Sequence, residues 1–561
     1  VHLDFVQAGA RLAPAARARY AALMQAQAEL STKFAHNLLH EEAAWTLHLK
    51  EPADFAGLPE AVCATARQAA TERGLDGGVI TLSRSLILQF LMFSTRRDLR
   101  ERLWRAWSAR GRNAGAHDNR ELARDFLRLR TEQARAQGYA SFADYALTDT
   151  MAGTPARVQQ LLDEVWPRAL ATVERERQAL LAQMAAQGET GDIEPWDWRF
   201  WAEQVRRSKY NLDDAAVKPY FELKALVGAM FDCAQRLFGL RCTLRPDLAS
   251  YHPDVEVYEV HNARGELSAF FCLDNFARPN KYAGAWMSSL RVQHRNVEGG
   301  GAVLPIVVNN NPFIRGADGE PTLLSVDDAR ILFHEFGHGL HGLLSDVQFE
   351  RLSGTQVLVD FIEFPSQLFE FWMREPEVLQ RHARHYRTGE PMPPALAQRL
   401  KDAQFFNRGY DTVRYMASAI ADMAVHSLTD DEPPADLCRF EADLLQERGF
   451  PHGVELNHHL AHFPIIFSTY GYAAGFYVYL WADVLAADGY AAFTEAGNPF
   501  DPEVAERLRK HVYAAGNSVE PGAAYAAFRG REPSVMPLLA KRGMVPPPLA
   551  VDTRPAMVVG A

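Results

Sequence analysis

Apolar residues recur at helical spacing through much of the first half of the chain. Leu122, Phe126 and Leu129 lie four and three residues apart, which places their side chains on one face of an α-helix. This spacing, together with runs of good helix formers, predicts four helices, over residues 11–47, 96–115, 119–138 and 154–186. The last segment opens with Thr-Pro, a common helix start, and Gly188 follows its end.

The pattern changes to short apolar runs after residue 250. Runs at 255–260 and 267–273 are rich in β-branched and aromatic residues, and the turn at 262–265 separates them, so a β-hairpin is predicted. A third run at 303–308 predicts another strand. Pro305 favours an edge or bulged position for it, because proline has no backbone N–H to donate. An edge strand there would bind an extended peptide through main-chain hydrogen bonds.

Helical patterning returns after Pro321 and continues almost to the end of the chain. The proline-rich tail from Pro546 onward is expected to be extended and loosely held. A mainly α fold with one small sheet is therefore predicted. Trp196, Trp198 and Trp201 are expected to pack in a core between domains, with the lining of a groove as the alternative.

Composition and charge narrow the classes of partner. The chain has 561 residues, of which 48% are hydrophobic and 23% charged, as in an ordinary globular protein with a large core. The net charge of -11 argues against nucleic acid as the main partner, because phosphate binding needs a basic face. No apolar run reaches the roughly 20 residues of a membrane-spanning helix, so no membrane partner is expected. The residues 1–5 lack the basic and apolar regions of a signal peptide.

The cysteines are few, scattered and odd in number, which favours a reducing compartment and predicts a cytoplasmic protein. They are Cys63, Cys233, Cys242, Cys272 and Cys438. None has C-x-x-C spacing, so a metal site would have to use histidine and carboxylate ligands.

The segment His334-Glu335-Phe-Gly-His338 lies within a predicted helix and has the pattern H-E-x-x-H. Residues i and i+4 lie on the same helix face, so the two imidazoles can bind one zinc ion. Glu335 then lies close to the open position of the metal, where a general base is needed. The longer motif H-E-x-x-H-x-x-G-x-x-H is excluded, because His341 and Leu344 stand where it requires Gly and His.

A catalytic zinc needs a third protein ligand, and a carboxylate on a following helix is the usual alternative to histidine. The candidates are Glu350, Asp360, Glu363 and Glu370. Glu363 is best placed, because a proline two residues later suits the first turn of a helix. Glu370 is about two turns further along, and it or Asp360 is a candidate acceptor for the ring N–H of a ligand histidine.

Several motifs together resemble one known family. They are residues 334–341, 353–355, 360–367, 210–214, 218–223, 251–254, 284–287 and 471–475. They resemble the thimet-oligopeptidase family of zinc peptidases, and within it the bacterial peptidyl-dipeptidase (dipeptidyl carboxypeptidase) branch. The resemblance covers most of the chain and is strongest from about residue 210 to 544, although family chains usually carry more sequence at the N-terminus.

The resemblance implies a two-lobed, mostly helical zincin-type metallopeptidase with a deep substrate channel. Residues 1–210 would form an N-terminal helical region and residues 211–561 the zinc-binding catalytic region, with segments shared between the lobes. His334, His338 and Glu363 would bind one Zn²⁺ ion, with Glu335 as general base. Tyr472 and Tyr479 would donate hydrogen bonds in the transition state, and their spacing of seven residues allows them to share a helix face.

The chain departs from the family pattern at two positions. Phe476 stands where the family often has tyrosine, and Ile465 where it commonly has histidine. His462 and His459 are nearby, but a shift of three residues would be needed to place His462 there. Because loss of an oxyanion donor typically costs about 10²–10³ in turnover, a slower enzyme or an altered substrate preference is expected.

The resemblance implies an enzyme that hydrolyses short peptides and releases C-terminal dipeptides. A monomer is expected. Such an enzyme needs a cation for the free carboxylate of the substrate; Arg278, Lys281 and Arg408 are candidates, and the sequence assigns the role to none of them. Two alternatives stay open. One is an endo-acting oligopeptidase of the same family, and the other is a weakly active or inactive peptide-binding relative.

Overall fold

The computed structural model describes residues 2–210, 214–278, 281, 284–317, 319–468 and 471–545. Eleven helices of the described residues precede or flank the sheet: α1 (His2–Gln7), α2 (Pro14–Ala44), α3 (Glu60–Thr71), α4 (Arg84–Phe93), α5 (Arg97–Ser108), α6 (Arg120–Ala136), α7 (Phe142–Ala146), α8 (Pro155–Ala186), α9 (Trp198–Tyr210), α10 (Asp214–Val217) and α11 (Leu223–Phe238). The structure confirms the helices predicted at 119–138 and 154–186. The Thr154 side chain accepts a hydrogen bond from the Arg157 N–H at the start of α8.

The other two predicted helices end earlier than expected. Helix α2 ends at Ala44 because the next residues enter a two-stranded antiparallel sheet, β1 (Thr46–Leu49) and β2 (Gly78–Thr81). Helix α5 ends at Ser108. Pairing with a distant strand overrides the helix propensity of the residues after Ala44.

A five-stranded sheet lies next to the H-E-x-x-H helix. Its strands are β3 (Arg241–Leu244), β4 (Glu256–His261), β5 (Leu267–Phe276), β6 (Trp286–Arg291) and β7 (Ile306–Phe313), in the order β3-β4-β5-β7-β6. The β4–β5 hairpin is confirmed. The edge position predicted from Pro305 is wrong, because β7 begins one residue later and pairs with β5 on one side and β6 on the other. Pro305 precedes β7 and still accepts from the Phe270 N–H at 2.9 Å, a bond that needs no N–H of its own. The register shift between Ser289 and Arg291, opposite Val307 and Ile306, agrees with the bulged alternative, and β6 is the edge strand beside β7.

The remaining chain is helical, and the described residues after Phe313 contain no further strand. The helices are α12 (Val326–Leu343), α13 (Glu363–Met373), α14 (Pro376–His382), α15 (Pro394–Ala403), α16 (Arg408–His426), α17 (Leu437–Glu447), α18 (Pro464–Phe467), α19 (Val478–Glu495), α20 (Pro502–Leu508), α21 (Pro521–Arg529) and α22 (Met536–Lys541). Short 3₁₀ or π turns lie between them. The tail that begins at Pro546 falls outside the described residues.

One large hydrophobic core runs from Phe34 to Met544 and takes side chains from both sides of residue 210. A smaller core surrounds β1, β2, α4 and α5. Trp198 and Trp201 belong to the large core and Trp196 to the smaller one, so the prediction of packed tryptophans is confirmed. The predicted mainly α fold with a small sheet is confirmed, whereas the division at residue 210 stays a prediction.

Helix α12 is held between α13 and the five-stranded sheet. Its first turn is closed by a capping box, in which the Ser325 hydroxyl accepts from the Asp328 N–H and the Asp328 carboxylate accepts from the Ser325 N–H. Gly337 permits the close approach of α13, because a Cβ atom there would lie 2.5 Å from the Ser366 Cα. Packing at glycine thus brings the histidine face of α12 against the start of α13.

Candidate metal centre

Three of the predicted ligands converge at the contact between α12 and α13. The Glu363 Oε2 atom lies 3.3 Å from His334 Nε2 and 3.4 Å from His338 Nε2. Metal–ligand bonds of about 2.0–2.2 Å in a tetrahedral site place neighbouring donor atoms about 3.4 Å apart. The nitrogen, nitrogen and oxygen donors therefore have the spacing that one divalent metal ion requires.

Glu370 orients the first histidine of this group. The His334 Nδ1–H donates a 2.7 Å hydrogen bond to Glu370 Oε1, and the Arg330 guanidinium donates to the same oxygen. This hydrogen bond fixes the ring orientation and directs His334 Nε2 toward Glu363, as a metal ligand requires.

The charges around the site favour the binding of a cation. Burial opposes protonation of His334, but its hydrogen bonds with Glu363 and Glu370 outweigh burial and raise its pKa to about 10. Burial alone would raise the pKa of Glu363, yet the two histidines hold it well below its usual range. Two partly buried carboxylates, Glu363 and Glu370, thus favour a positive charge beside them, which a metal ion would supply.

The other two carboxylate candidates lie elsewhere. Asp360 is fully buried and accepts hydrogen bonds from the Met151 and Ala152 N–H groups, at 2.8 and 2.9 Å, and from the Tyr477 hydroxyl. It anchors the segment before α13 and does not accept from a ligand histidine. Glu350 is exposed in a 3₁₀ turn.

Glu335 is buried on α12, next to the first histidine. Its Oε2 atom has no hydrogen-bond partner among the described residues. Burial raises the pKa of Glu335 above its usual range, although His334 and His338 oppose the shift. A carboxyl group in this setting can accept a proton from a bound water and hold it.

Tyr472 and Tyr479 lie side by side, with parallel rings whose centroids are 6.0 Å apart. They do not share a helix face: α19 begins at Val478, and the chain turns at Ala474, whose φ is 55°. Asp422 holds this turn by accepting from the Ala474 and Phe476 N–H groups at 3.0 and 2.9 Å. The expectation of a shared face failed because the left-handed residue interrupts the helical repeat.

Both tyrosines remain protonated near the metal ligands. Burial raises the pKa of Tyr472 and of Tyr479, and the negative charge of Glu363 adds to the shift in each case. Each is therefore a hydrogen-bond donor at neutral pH and lies within electrostatic reach of Glu363. Tyr477, by contrast, is a core residue, as expected, because its buried hydroxyl donates to Asp360 at 2.9 Å.

Apolar side chains occupy the two positions at which the chain departs from the family pattern. Phe476 is buried and packs edge-on against Phe463, with ring centroids 4.8 Å apart. Ile465 lies on the short helix α18. His462 is buried and contacts the rings of its neighbours in the 458–463 segment, and neither it nor His459 contacts the three candidate ligands among the described residues.

Two of the three cations considered for a substrate carboxylate are already paired. Arg278 and Lys281 both bind Asp274, at 2.6 and 2.8 Å. Arg408 donates from Nε to the Gln404 carbonyl. Sequence reasoning missed Asp422, whose support of the tyrosine segment depends on contacts across more than 50 positions and leaves no local signal.

Comparison with known proteins agrees with this geometry. Residues 90–544 match Peptidase family M3. The chain belongs to this family. It is 37% identical over 548 residues to a dipeptidyl carboxypeptidase of Escherichia coli (strain K12), covering 97% of this chain and 79% of that protein. It is 33% identical to oligopeptidase A of the same organism, covering 96% of this chain and 80% of that one.

A solved structure described as oligoendopeptidase F shares the fold, with a TM-score of 0.52, 14% identity and coverage of 96% of this chain and 78% of that one. The predicted family resemblance is confirmed, and the protein is a metallopeptidase. Among the described helices, none combines the length and apolar character needed to cross a membrane.

Proposed function

We propose that this M3 peptidase is a zinc enzyme that releases dipeptides from the C-terminus of short peptides. One Zn²⁺ ion would be held by His334, His338 and Glu363, with Glu370 orienting His334. The convergence of two Nε2 atoms on Glu363 Oε2 at 3.3 and 3.4 Å carries the proposal. The donor set supports zinc, because imidazole and carboxylate ligands with one open position are typical of catalytic zinc sites.

The chain's own residues perform the proton transfers. When bound, zinc supplies Lewis acidity to a water molecule and to the substrate carbonyl. Glu335 takes the proton of the attacking water and passes it to the departing amine, a role that its raised pKa favours. Tyr472 and Tyr479 donate hydrogen bonds to the oxygen on which negative charge develops.

Two alternative functions remain. Oligopeptidase A, the second relative, supports an endo-acting oligopeptidase. An inactive peptide-binding relative is disfavoured, because the three candidate ligands converge and Glu335 lies within electrostatic reach of them. A deep channel between two lobes, a cytoplasmic location and a monomeric state belong to the same proposal; five free cysteines support the location.

One experiment separates the modes of cleavage. A peptide is digested in its free-acid and C-terminally amidated forms, and the products are identified by mass spectrometry. Release of C-terminal dipeptides from the free acid, with little cleavage of the amide, is expected. Equal cleavage of both forms at internal bonds would support the endo-acting alternative.

A second experiment tests the metal and the base. Purified protein is expected to contain one zinc per chain, and Glu335→Gln should keep the metal while losing most of its activity. A parent protein that binds zinc but is no faster than the Gln variant would leave only the peptide-binding alternative.

A further inference from the structure

A row of buried polar side chains connects helix α6 to the tyrosine segment, residues 471–479. We call Asp422, His426 and Arg130 the buried relay. Asp422 and His426 lie about one turn apart on α16, and Arg130 lies on α6. Their exposed fractions are 0%, 2% and 3%, so each side chain must find its hydrogen-bond partners inside the protein.

Arg130 sets the direction of the hydrogen bonds along the relay. A guanidinium group can only donate, so the 2.9 Å bond from Arg130 Nη1 makes His426 Nε2 an acceptor. The other ring nitrogen then carries the proton, and His426 Nδ1–H donates to Asp422 Oδ1 at 2.8 Å and to the Asp422 carbonyl at 2.9 Å. Burial lowers the pKa of His426, although its hydrogen bond with Asp422 opposes the shift, so the ring is uncharged at neutral pH. The relay therefore presents an oriented N–H group to the Asp422 carboxylate.

The relay ends at the turn between Tyr472 and Tyr479. Asp422 Oδ1 accepts from the Ala474 N–H at 3.0 Å, and Asp422 Oδ2 accepts from the Phe476 N–H at 2.9 Å. Ala474 has a φ of 55°, a conformation that is unfavourable for a residue with a Cβ atom and persists only where contacts hold it. Because one tyrosine precedes this turn and the other follows it, the position of the turn sets the distance between their hydroxyl groups.

Helix α16 holds the same turn at a second point. Tyr415 and Asp422 are seven residues, or about two turns, apart on α16, so they lie on one face of the helix. The Tyr415 hydroxyl donates to the Phe476 carbonyl and accepts from the Leu480 N–H at 3.3 Å. One face of α16 thus binds the main chain both within the turn and at the start of α19.

A cavity of about 230 Å³ lies beside the turn. Gly471 and residues 473–475 line it, together with Arg130, Gln27 and Gln133. Side chains do not fill this space, so close packing does not fix the turn where it borders the cavity. The segment therefore has room to shift if its hydrogen bonds to Asp422 are lost.

We propose that Asp422 and His426 are positioning residues, which hold the tyrosine segment where Tyr472 and Tyr479 can donate to the reacting oxygen. The two residues act through the turn and do not touch the substrate, and Arg130 fixes the tautomer of His426. This inference rests on the proposed function, because it takes the two tyrosines as transition-state donors. A misplacement of about 1 Å can cost about 10²-fold in rate, so the relay controls kcat.

Turnover of closely matched variants tests which bonds of the relay matter. Asp422→Asn keeps the size of the side chain but replaces one accepting oxygen by an NH₂ donor, so one bond to the turn is lost. It should lower kcat about 10- to 100-fold with little change in KM or in zinc content. The amide of His426→Asn ends near the position of Nδ1 and should keep most of the activity. The amide of His426→Gln ends near Nε2, cannot donate to Asp422 in the same way, and should behave like Asp422→Asn.

A double-mutant cycle separates positioning from a general loss of stability. In a Tyr472→Phe, Tyr479→Phe background the donors are absent, so adding Asp422→Asn should lower kcat by less than about twofold. Asp197→Asn is the matched control, because Asp197 is a buried aspartate bonded to Arg100 at 2.9 Å. It should lower the melting temperature and leave kcat unchanged. If Asp422→Asn lowers kcat equally in both backgrounds, it acts through stability and the proposal is overturned.

Hydrogen exchange followed by mass spectrometry reports on the turn without relying on catalysis. The main-chain amides of residues 472–480 should exchange faster in Asp422→Asn than in the parent, and Asp197→Asn should leave them unchanged. Unaltered exchange in Asp422→Asn would show that the relay does not hold the turn. If Tyr472→Phe and Tyr479→Phe together leave kcat unaltered, the proposed role of the tyrosines fails and the inference fails with it. If they lower kcat but Asp422→Asn does not, the proposed function stands and only the relay is overturned.

Discussion

Replacing Gly337 by alanine should separate the two helices that carry the candidate zinc ligands. The added Cβ would lie 2.5 Å from the Ser366 Cα, 2.7 Å from the Pro365 carbonyl oxygen and 3.1 Å from the Phe369 Cβ. The first two neighbours are backbone atoms that cannot rotate away. Because carbon–carbon contacts relax at about 3.5 Å, α13 must move by about 1 Å relative to α12.

This displacement is large compared with the tolerance of a metal site. Ligand distances are held within about 0.2 Å, so a shift of about 1 Å at Glu363 should weaken zinc binding by at least about tenfold. Stability should also fall. The helix propensity of alanine contributes about 1 kcal/mol, but overpacking against rigid backbone costs about 1–3 kcal/mol.

Zinc affinity is measured by competition with a chelator and stability by thermal unfolding. Gly228→Ala on α11 is the matched control, because nothing lies within 4 Å of its added Cβ, and it should stabilise the protein slightly. If Gly337→Ala matches the parent in both zinc affinity and melting temperature, the α12–α13 contact does not set the ligand geometry and the reasoning is refuted.

Three further predictions follow from the surroundings of the site. Glu370→Gln should lower zinc affinity about 10- to 100-fold by weakening the hydrogen bond to His334, and an unchanged affinity would remove Glu370 from the site. Tyr479→Phe should lower kcat by about 10²–10³ with little change in melting temperature; a change confined to KM would argue against an oxyanion role. Burial and the repulsion of nearby cationic groups hold the pKa of His462 well below 6.5, so the unfolded chain takes up a proton below that pH while the folded protein does not. The stability from this histidine is present above about pH 6.5 and is lost as the pH falls, by about 1.4 kcal/mol per pH unit. His462→Phe should therefore flatten the loss of unfolding free energy between pH 7.5 and 5.5, and a slope equal to that of the parent would contradict the assignment.

Local patterns predicted the elements that depend on near neighbours. The helices at 120–136 and 155–186 and the β4–β5 hairpin follow from spacing, capping and turn residues. Predictions failed where a distant partner decided the outcome. The end of α2 depends on β2, the internal position of β7 depends on β6, and the turn at Ala474 depends on Asp422. Each partner lies tens of residues away, beyond the reach of any periodicity.

The pairing of His334 and His338 follows from the sequence alone, because residues four apart along a helix place their side chains on one face. For the third ligand the sequence left four candidate carboxylates, of which a proline two residues later favoured Glu363, and the family resemblance pointed to the same residue. The packing of α13 on α12 at Gly337 places Glu363 Oε2 at 3.3 Å from His334 Nε2 and 3.4 Å from His338 Nε2. The same packing places Glu370 Oε1 within hydrogen-bond distance of His334 Nδ1.

The ion pairs around Glu455 depend on tertiary structure alone. Arg199 lies on α9, Arg414 on α16 and Glu455 between α17 and α18, with no shared motif. The fold brings both guanidinium groups to the Glu455 carboxylate, at 2.7 and 2.9 Å. Such pairs join residues far apart in the chain, so no local pattern predicts them.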